Sequence, residues 1–250
     1  MTGWPEGYRR RLLDEVDSTL NEAARIAPTL AGPEWILARH QTAARGRRGR
    51  DWVSPEGNFA ATLVLRLQDG AQQAALRSFV AALALFDACV AVTGRPESFS
   101  LKWPNDVLLN GGKLAGILLE SAGQGGAGPL PLFIGIGVNL AEAPPADLVE
   151  ARALRPVSLA GETGVQVAPE EFLTELAAAF ARYEAKFATL GFAPIREAWL
   201  ARAARLGQPV TARTGTSETQ GTFETVDAEG QLVLMTPSGR VRIPAADVFF

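Results

Sequence analysis

Cysteine, histidine and lysine are scarce in this chain of 250 residues: Cys89 is the one cysteine and His40 the one histidine. A single thiol excludes an internal disulfide, and one thiol with one imidazole cannot fill the four-ligand set of a structural zinc. Any Ser-His-Asp, Cys-His or multi-histidine scheme would have to run through His40, which disfavours most hydrolase chemistries. A reducing, cytoplasmic compartment is therefore expected. Arg9, Arg10 and Arg11 are not followed by an apolar stretch, so the amino terminus does not read as a secretory leader. The longest apolar run, Phe79 to Phe86, falls far short of the roughly 18 residues that cross a bilayer, and no membrane association is expected. Charge of one sign is lacking too. A formal charge of -3 gives no reason to expect a large nucleic-acid footprint. Of the 24 basic residues only Lys102, Lys113 and Lys186 are lysines, and two of the three fall within one twelve-residue stretch.

With 47% hydrophobic and 20% charged residues, the chain reads as a folded globular protein of one to two domains. Ser18 or Thr19 before Asn21-Glu22-Ala23-Ala24-Arg25 marks a helix start, since a hydroxyl there accepts from first-turn amides. Phe59, Ala61, Leu63, Leu65 and Leu67 alternate with their neighbours at the period of a strand, ended by Gln68-Asp69-Gly70. Leu76, Phe79, Val80, Leu83, Phe86 and Val90 then recur at three and four residues, the stripe of a helix lying on a sheet. Val107 to Leu109, a turn at Asn110-Gly111-Gly112 and Leu114 to Glu120 predict a hairpin with Lys113 at the turn exit. Leu132 to Leu140 is another strand. Phe172, Leu176, Phe180, Tyr183, Phe187 and Leu190 mark a long helix opened by Pro169 and closed by Gly191, and a shorter helix is expected to end near Gly207. Gly123 to Pro131 is a glycine-rich connection. From Val210 on, short apolar pieces separated by glycine turns have the spacing of a small barrel. The expectation is an α+β fold: a mixed β-sheet packed with helices over residues 1–207, then a small β-barrel over 208–250.

Three segments carry the chemistry. Arg45-Gly46-Arg47-Arg48-Gly49-Arg50 places four forked donors around two glycines, a pattern suited to carboxylate or phosphate, although a solvated basic loop or nucleic-acid contact is the simpler account of the hexapeptide alone. In Lys102-Trp103-Pro104-Asn105-Asp106 the proline holds Asn105 and Asp106 at the mouth of a strand, facing Lys113 across the hairpin, so that an amide, a carboxylate and an ammonium can converge. An ordinary turn with a solvated lysine competes with that reading. Gly135-Ile136-Gly137-Val138-Asn139 ends a strand with two positions free of side chain, the mark of close ligand approach or of a bulge. His40 receives no role, and Cys89 is core filler.

In this order and spacing, Arg45 to Arg50, Lys102 to Asp106, Lys113 to Leu118 and Gly135 to Asn139 resemble the hallmarks of the biotin protein ligase family. The resemblance covers essentially the whole chain, in the short form without a DNA-binding domain before the catalytic region. It implies a catalytic sheet like that of class II aminoacyl-tRNA synthetases, an SH3-like carboxy-terminal barrel, and ATP-dependent ligation of biotin to a lysine of a biotin carboxyl carrier domain through biotinyl-5'-adenylate. Implied as catalytic are Arg47, Lys113 and Asp106. Implied at biotin are Ser18, Thr19, Leu20, Gln41, Arg45, Gly46, Arg47, Lys113 and Gly116; at ATP, Arg47, Arg50, Trp52, Asn105, Lys113 and Asn139, with Asn105 and Asn139 the candidates for magnesium carried by ATP. No DNA is implied, and the resemblance admits a homodimer. Lipoate-type ligases are the nearest rival, and an RNA- or phosphate-binding module using the arginine loop is the rival from another class. Two departures stand out. Leu20 intervenes before Asn21 where the family has asparagine directly after Asp-Ser-Thr, and Ala44 replaces the first glycine of the arginine loop, which implies ordinary backbone there. Without anions the loop's arginines would repel, so the empty loop is expected to open.

Overall fold

The computed structural model describes residues 3–50, 52–53, 55–68, 70–121, 129–145, 152–215 and 217–250. In chain order the elements are β1 (Arg9–Val16), α1 (Thr19–Ile26), β2 (Glu34–Gln41), β3 (Phe59–Leu67), α2 (Ala71–Ala75), α3 (Arg77–Thr93), β4 (Phe99–Lys102), β5 (Asp106–Leu109), β6 (Gly112–Ser121), β7 (Leu130–Val138), α4 (Leu159–Thr163), α5 (Pro169–Leu190), α6 (Ala193–Leu200), β8 (Pro209–Thr214), β9 (Ser217–Val226), β10 (Leu232–Thr236), β11 (Gly239–Ile243) and β12 (Asp247–Phe249). Residues 123–128 of the glycine-rich connection and Asp69 of the turn after β3 lie outside the described residues.

Seven strands form one sheet in the order β1-β2-β3-β7-β6-β5-β4. β1 and β2 run parallel, joined through α1, and every other neighbouring pair is antiparallel. The sheet is mixed, as the hairpins and packed helices of the sequence predict. Its two faces are loaded unequally. On one face Leu63, Ile117, Ile134 and Ile136 join α3 and α5 in the main core; on the other, Ile36, Val64 and Phe133 meet Leu20 and Ala23 of α1, and Ala27 just after it, in a small cluster.

α3 departs from the expected stripe. Between its predicted apolar positions, Ala81, Ala82, Ala84 and Leu85 are buried as well, because the sheet, α5 and α6 all pack against this helix. A helix apolar all round is a core helix. Ala71–Thr93 passes for a membrane span by length and composition, but two-thirds of its most apolar stretch is buried inside this protein. α5 keeps its predicted limits, with Pro169 in its first turn and Gly191 as its cap, although Leu190 is exposed. The short helix after it stops at Leu200 instead of running on toward Gly207; turns fill the interval.

β5 and β6 form the predicted hairpin. Asn110 (φ 49°) and Gly111 (φ 78°) both take the left-handed conformation, the two-residue turn whose twist suits a tight hairpin. β8 to β12 build a separate antiparallel sheet in the order β11-β10-β9-β8-β12. The two sheets share apolar core: Phe223, Val226, Leu232 and Leu234 belong to the same cluster as α3 and α5, and the indole of Trp103 donates to the Gly230 carbonyl at 3.1 Å.

Candidate active site

The alternation of β6 and β7 gives the site its floor. Ile117, Ile134 and Ile136 point into the main core, so Gly116, Gly135 and Gly137 fall on the opposite face, toward α1. With no side chains there, a cavity of about 560 Å³ opens above the sheet, roofed by the arginine loop and closed at one end by β12. Space above the glycines is used tightly. A Cβ on Gly137 would lie 2.6 Å from the Trp52 indole, one on Gly116 3.3 Å from it, and one on Gly135 3.0 Å from Leu20. Trp52 therefore lies down on the floor, with the Lys113 ammonium 5.7 Å from its ring.

At one end of the cavity the polar groups satisfy one another. Ser18 caps α1, accepting from the Leu20 amide at 3.2 Å. Gln41 Oε1 accepts from both the amide and the hydroxyl of Thr19, at 2.8 and 3.1 Å, and the Thr62 hydroxyl donates to that of Thr19. Arg45 is gripped by Glu120 through two hydrogen bonds, 3.2 and 2.8 Å, and donates to Asn21 Oδ1 at 2.6 Å. The Glu120 carboxylate raises the Arg45 pKa further. Asn21 donates in turn to Asp17, whose carboxyl is held well below the usual range by hydrogen bonds from Arg25 and then Asn21 itself. The shift by one residue at Leu20 thus leaves Asn21 working behind Arg45, and Leu20 packing under Gly135.

The other end gathers positive charge. Lys113 Nζ lies 2.9 Å from Asp106 Oδ1, and Lys102 Nζ lies 3.6 Å from Oδ2, so one carboxylate stands between two ammonium groups. Burial alone would push the Asp106 carboxyl up, but Lys113 and Lys102, with Arg47 behind them, hold it below the ordinary range. Burial pulls the Lys102 ammonium down against the opposing pull of Asp106. The Lys113 backbone is clamped from the side: its amide donates to the Arg155 carbonyl and its own carbonyl accepts from Val157. Arg47 donates to Asn105 Oδ1 and to the Ala246 carbonyl, each at 3.3 Å, and burial lowers its pKa.

Of the two candidate amides for magnesium, Asn105 is committed at both ends, since its Nδ2 donates to the Ile117 carbonyl. Asn139 Nδ2 donates to the Val157 carbonyl, but its buried Oδ1 has no partner among the described residues. Among the described residues no group of three or more His, Cys, Asp or Glu could hold a metal. Asn139 therefore fits a magnesium ion delivered with phosphates, which supply most of its ligands.

The arginine loop does not stand open. Its turn is made by Arg48 (φ 58°) and Gly49 (φ 70°), while Ala44 has ordinary backbone as inferred from the sequence. Gly46 donates to the Arg50 carbonyl at 2.7 Å. Arg48 and Arg50 reach Asp247 of β12 at 2.8 and 3.1 Å. Sequence reasoning missed Asp247, Glu120 and Lys102. Glu120 and Lys102 end or open motifs already singled out, whereas Asp247 carries no local signal. His40 is exposed on β2 and Cys89 is buried in α3.

Residues 13–139 match the Biotin/lipoate A/B protein ligase family and residues 206–250 the Biotin protein ligase C terminal domain. The chain is 61% identical to a biotin–[acetyl-CoA-carboxylase] ligase of Paracoccus denitrificans over 96% of its own length and 99% of that protein. It is 32% identical to the bifunctional ligase/repressor BirA of Bacillus subtilis, over 94% of this chain and 72% of that one. Among solved structures it superposes on the biotin protein ligase of Aquifex aeolicus in complex with biotin and ATP with a TM-score of 0.81, at 25% identity, covering 96% of this chain and 98% of that one.

Proposed function

The chain belongs to the biotin/lipoate A/B protein ligase family, and from that premise we propose how its residues carry out ATP-dependent ligation of biotin to a carrier lysine. The carrier is the biotin carboxyl carrier domain of an acetyl-CoA carboxylase. Biotin first displaces pyrophosphate from ATP to give biotinyl-5'-adenylate; the carrier amine then takes the acyl group and AMP leaves. The family resemblance further supports an SH3-like barrel for residues 208–250 and a class II synthetase-like sheet before it.

One observation carries the reading: Arg47 and Lys113, far apart in sequence, meet at Asn105 and Asp106 beside the glycine floor. Adenylation must press the biotin carboxylate against the α-phosphate. Two unit charges 4 Å apart repel by about 4 kcal/mol at an effective dielectric of 20, roughly a thousandfold in rate. Arg47 and Lys113 offset that repulsion, and being already fixed by Asn105 and by the backbone clamp on residue 113 they need little rearrangement. Arg50 and Asn139 meet the phosphates, and Asn139 would hold a magnesium ion carried by ATP, which would help to neutralise their charge. Ser18, Thr19, Gln41 and Arg45 receive the polar ureido ring, Gly46 leaves room for it, Leu20 and Gly116 line the path of the aliphatic tail, and Trp52 offers a stacking face to the adenine of ATP. With its indole flat on Gly137, Trp52 also closes this wall against water.

In the second step the amine nitrogen attacks the acyl carbon and the bond to the phosphate oxygen breaks. Asp106, held acidic by its lysines, is a poor proton acceptor but a good hydrogen-bond acceptor, so it orients the incoming amine. The nucleic-acid reading loses its basis, because the loop's guanidinium groups turn inward to Asn105 and Asp247.

Pyrophosphate release from ATP, measured with biotin, with lipoate and with neither, tests the reaction. Release that depends on biotin is expected. Equal release with lipoate, or release without either acid, overturns the reading.

A further inference from the structure

β6 outruns its neighbour in the sheet. Its last pair with β7 is Ala115 with Val138, and beside Lys113 the place of β7 is taken by residues 155–157, bridged to it in parallel through Pro156. The Lys113 amide donates to the Arg155 carbonyl at 2.8 Å, and the Lys113 carbonyl accepts from the Val157 amide at 3.0 Å. Val157 serves a second group of the site as well: its carbonyl accepts from Asn139 Nδ2 at 3.0 Å. One residue thus ties down both the backbone of Lys113 and the side chain of Asn139. The Val157 side chain is buried, and it sits in the space above Gly112. A Cβ at position 112 would meet Val157 Cγ1 at 2.4 Å and Cγ2 at 3.1 Å, and the Arg155 carbonyl at 3.0 Å. The backbone of Gly112 is not left-handed, unlike that of Gly111, so the missing side chain serves this close approach and not the turn.

We propose that Gly112 and Val157 are a matched pair of positioning residues for the adenylation step: Gly112 gives Val157 its seat, and Val157 in that seat places Lys113 and Asn139 relative to each other. Neither touches a reacting atom. Pushing Val157 off Gly112 strains its bonds to residues 113 and 139 together, and so moves the ammonium that stands 2.9 Å from Asp106 and the amide that meets the phosphates. A misplacement of about 1 Å at a reacting centre can cost on the order of a hundredfold in rate. The roles of Lys113 and Asn139 rest on the function proposed above; the seating of Val157 on Gly112 does not.

Gly112→Ala, Val157→Ala and the double variant, each in the full chain, test this by three readouts: biotin-dependent pyrophosphate release, calorimetric titration with α,β-methylene-ATP in the presence of biotin, and thermal unfolding. Gly112→Ala is expected to lower kcat about tenfold and to weaken nucleotide binding about fivefold while the KM for biotin stays put. Val157→Ala, which keeps the backbone bonds, should stay within about threefold of wild type, and the double variant should return to that range, because removing both Cγ atoms makes room for the new Cβ. A variant that was merely less folded would lose kcat and calorimetric sites in proportion, with an unchanged Kd for the nucleotide; that pattern overturns the proposal, as do additive losses in the double variant. Should Gly112→Ala alone fail to fold, a double variant that folds with near wild-type kcat and Kd supports the pairing, and one that also fails to fold overturns it. A wild-type protein lacking biotin-dependent pyrophosphate release would sink the assigned reaction and with it the positioning role, whereas the seating of Val157 would still be decided by whether the unfolding midpoints of the variants are non-additive.

Discussion

The two ends of the cavity are built from similar side chains and treat charge in opposite ways. Where α1 meets β2, Arg45 is closed off by Glu120 and Asn21, Thr19 by Gln41 and Thr62, and the polar groups pair among themselves. Where the Lys102–Lys113 hairpin meets β12, six cations (Arg47, Arg48, Arg50, Arg213, Lys102 and Lys113) surround two carboxylates, Asp106 and Asp247, among the described residues. A balanced network recognises a neutral polar ring, since any unpaired group there costs binding. A cation-rich one attracts anions. The contrast therefore orders the substrate within the cavity: the uncharged head at the paired end, the carboxylate and phosphates at the cationic end.

The sharpest way to break the contrast is Lys113→Ala. If this end works by offsetting repulsion, biotin-dependent pyrophosphate release should fall on the order of a hundred- to a thousandfold, chiefly in kcat. A rise in biotin KM alone would show that Lys113 belongs functionally to the other end. Next in size, Glu120→Gln leaves Arg45 with a weaker partner and should raise the KM for biotin about tenfold without moving that for ATP; equal effects on both substrates would dissolve the distinction.

Gly137→Ala probes the floor shared by both ends. Its Cβ would collide with the Trp52 indole at 2.6 Å, so a loss of about 1–3 kcal/mol in thermal unfolding is expected, against a smaller loss for Gly116→Ala at 3.3 Å. Matching losses would mean that Trp52 is not seated as described. The smallest effect concerns pH. Burial raises the Asp247 pKa, but Arg48, Arg50 and Arg47 lower it more, leaving it below the ordinary aspartate range. A carboxylate depressed in the folded state adds stability above its unfolded pKa and loses it as pH falls through the folded one. Wild type and Asp247→Asn should then differ in unfolding midpoint at neutral pH, and the gap should narrow as pH falls below the unfolded aspartate value of about 3.9; a constant gap would assign the difference to something other than charge.

At each end of the cavity the legible part was the one made by groups close in sequence. Ser18 as the cap of α1 and the hairpin that brings Asp106 to Lys113 follow from turn and capping chemistry within a few residues. Asn21 was harder, because its partner Arg45 lies 24 residues on, and only the packing of α1 beside β2 shows that the displaced asparagine still has a task. Asp247 was out of reach: 199 residues separate it from Arg48, and a single aspartate near a chain end carries no pattern. The burial of α3 on all sides escaped for a related reason, since the alanines between its large residues look neutral until α5 is laid over them.

By itself the sequence determined what neighbouring residues settle among themselves: the strand and helix periods, the left-handed turn at Asn110-Gly111, the cap at Ser18, and the motifs that mark the family. Tertiary structure alone decided which charges face each other across the chain, where Trp52 comes to rest, and that the arginine loop lies against β12. The physical reason is range. Backbone conformation is governed by sterics and hydrogen bonds a few residues long, whereas the pairing of Asp247 with the loop exists only after two sheets have packed around a common apolar core.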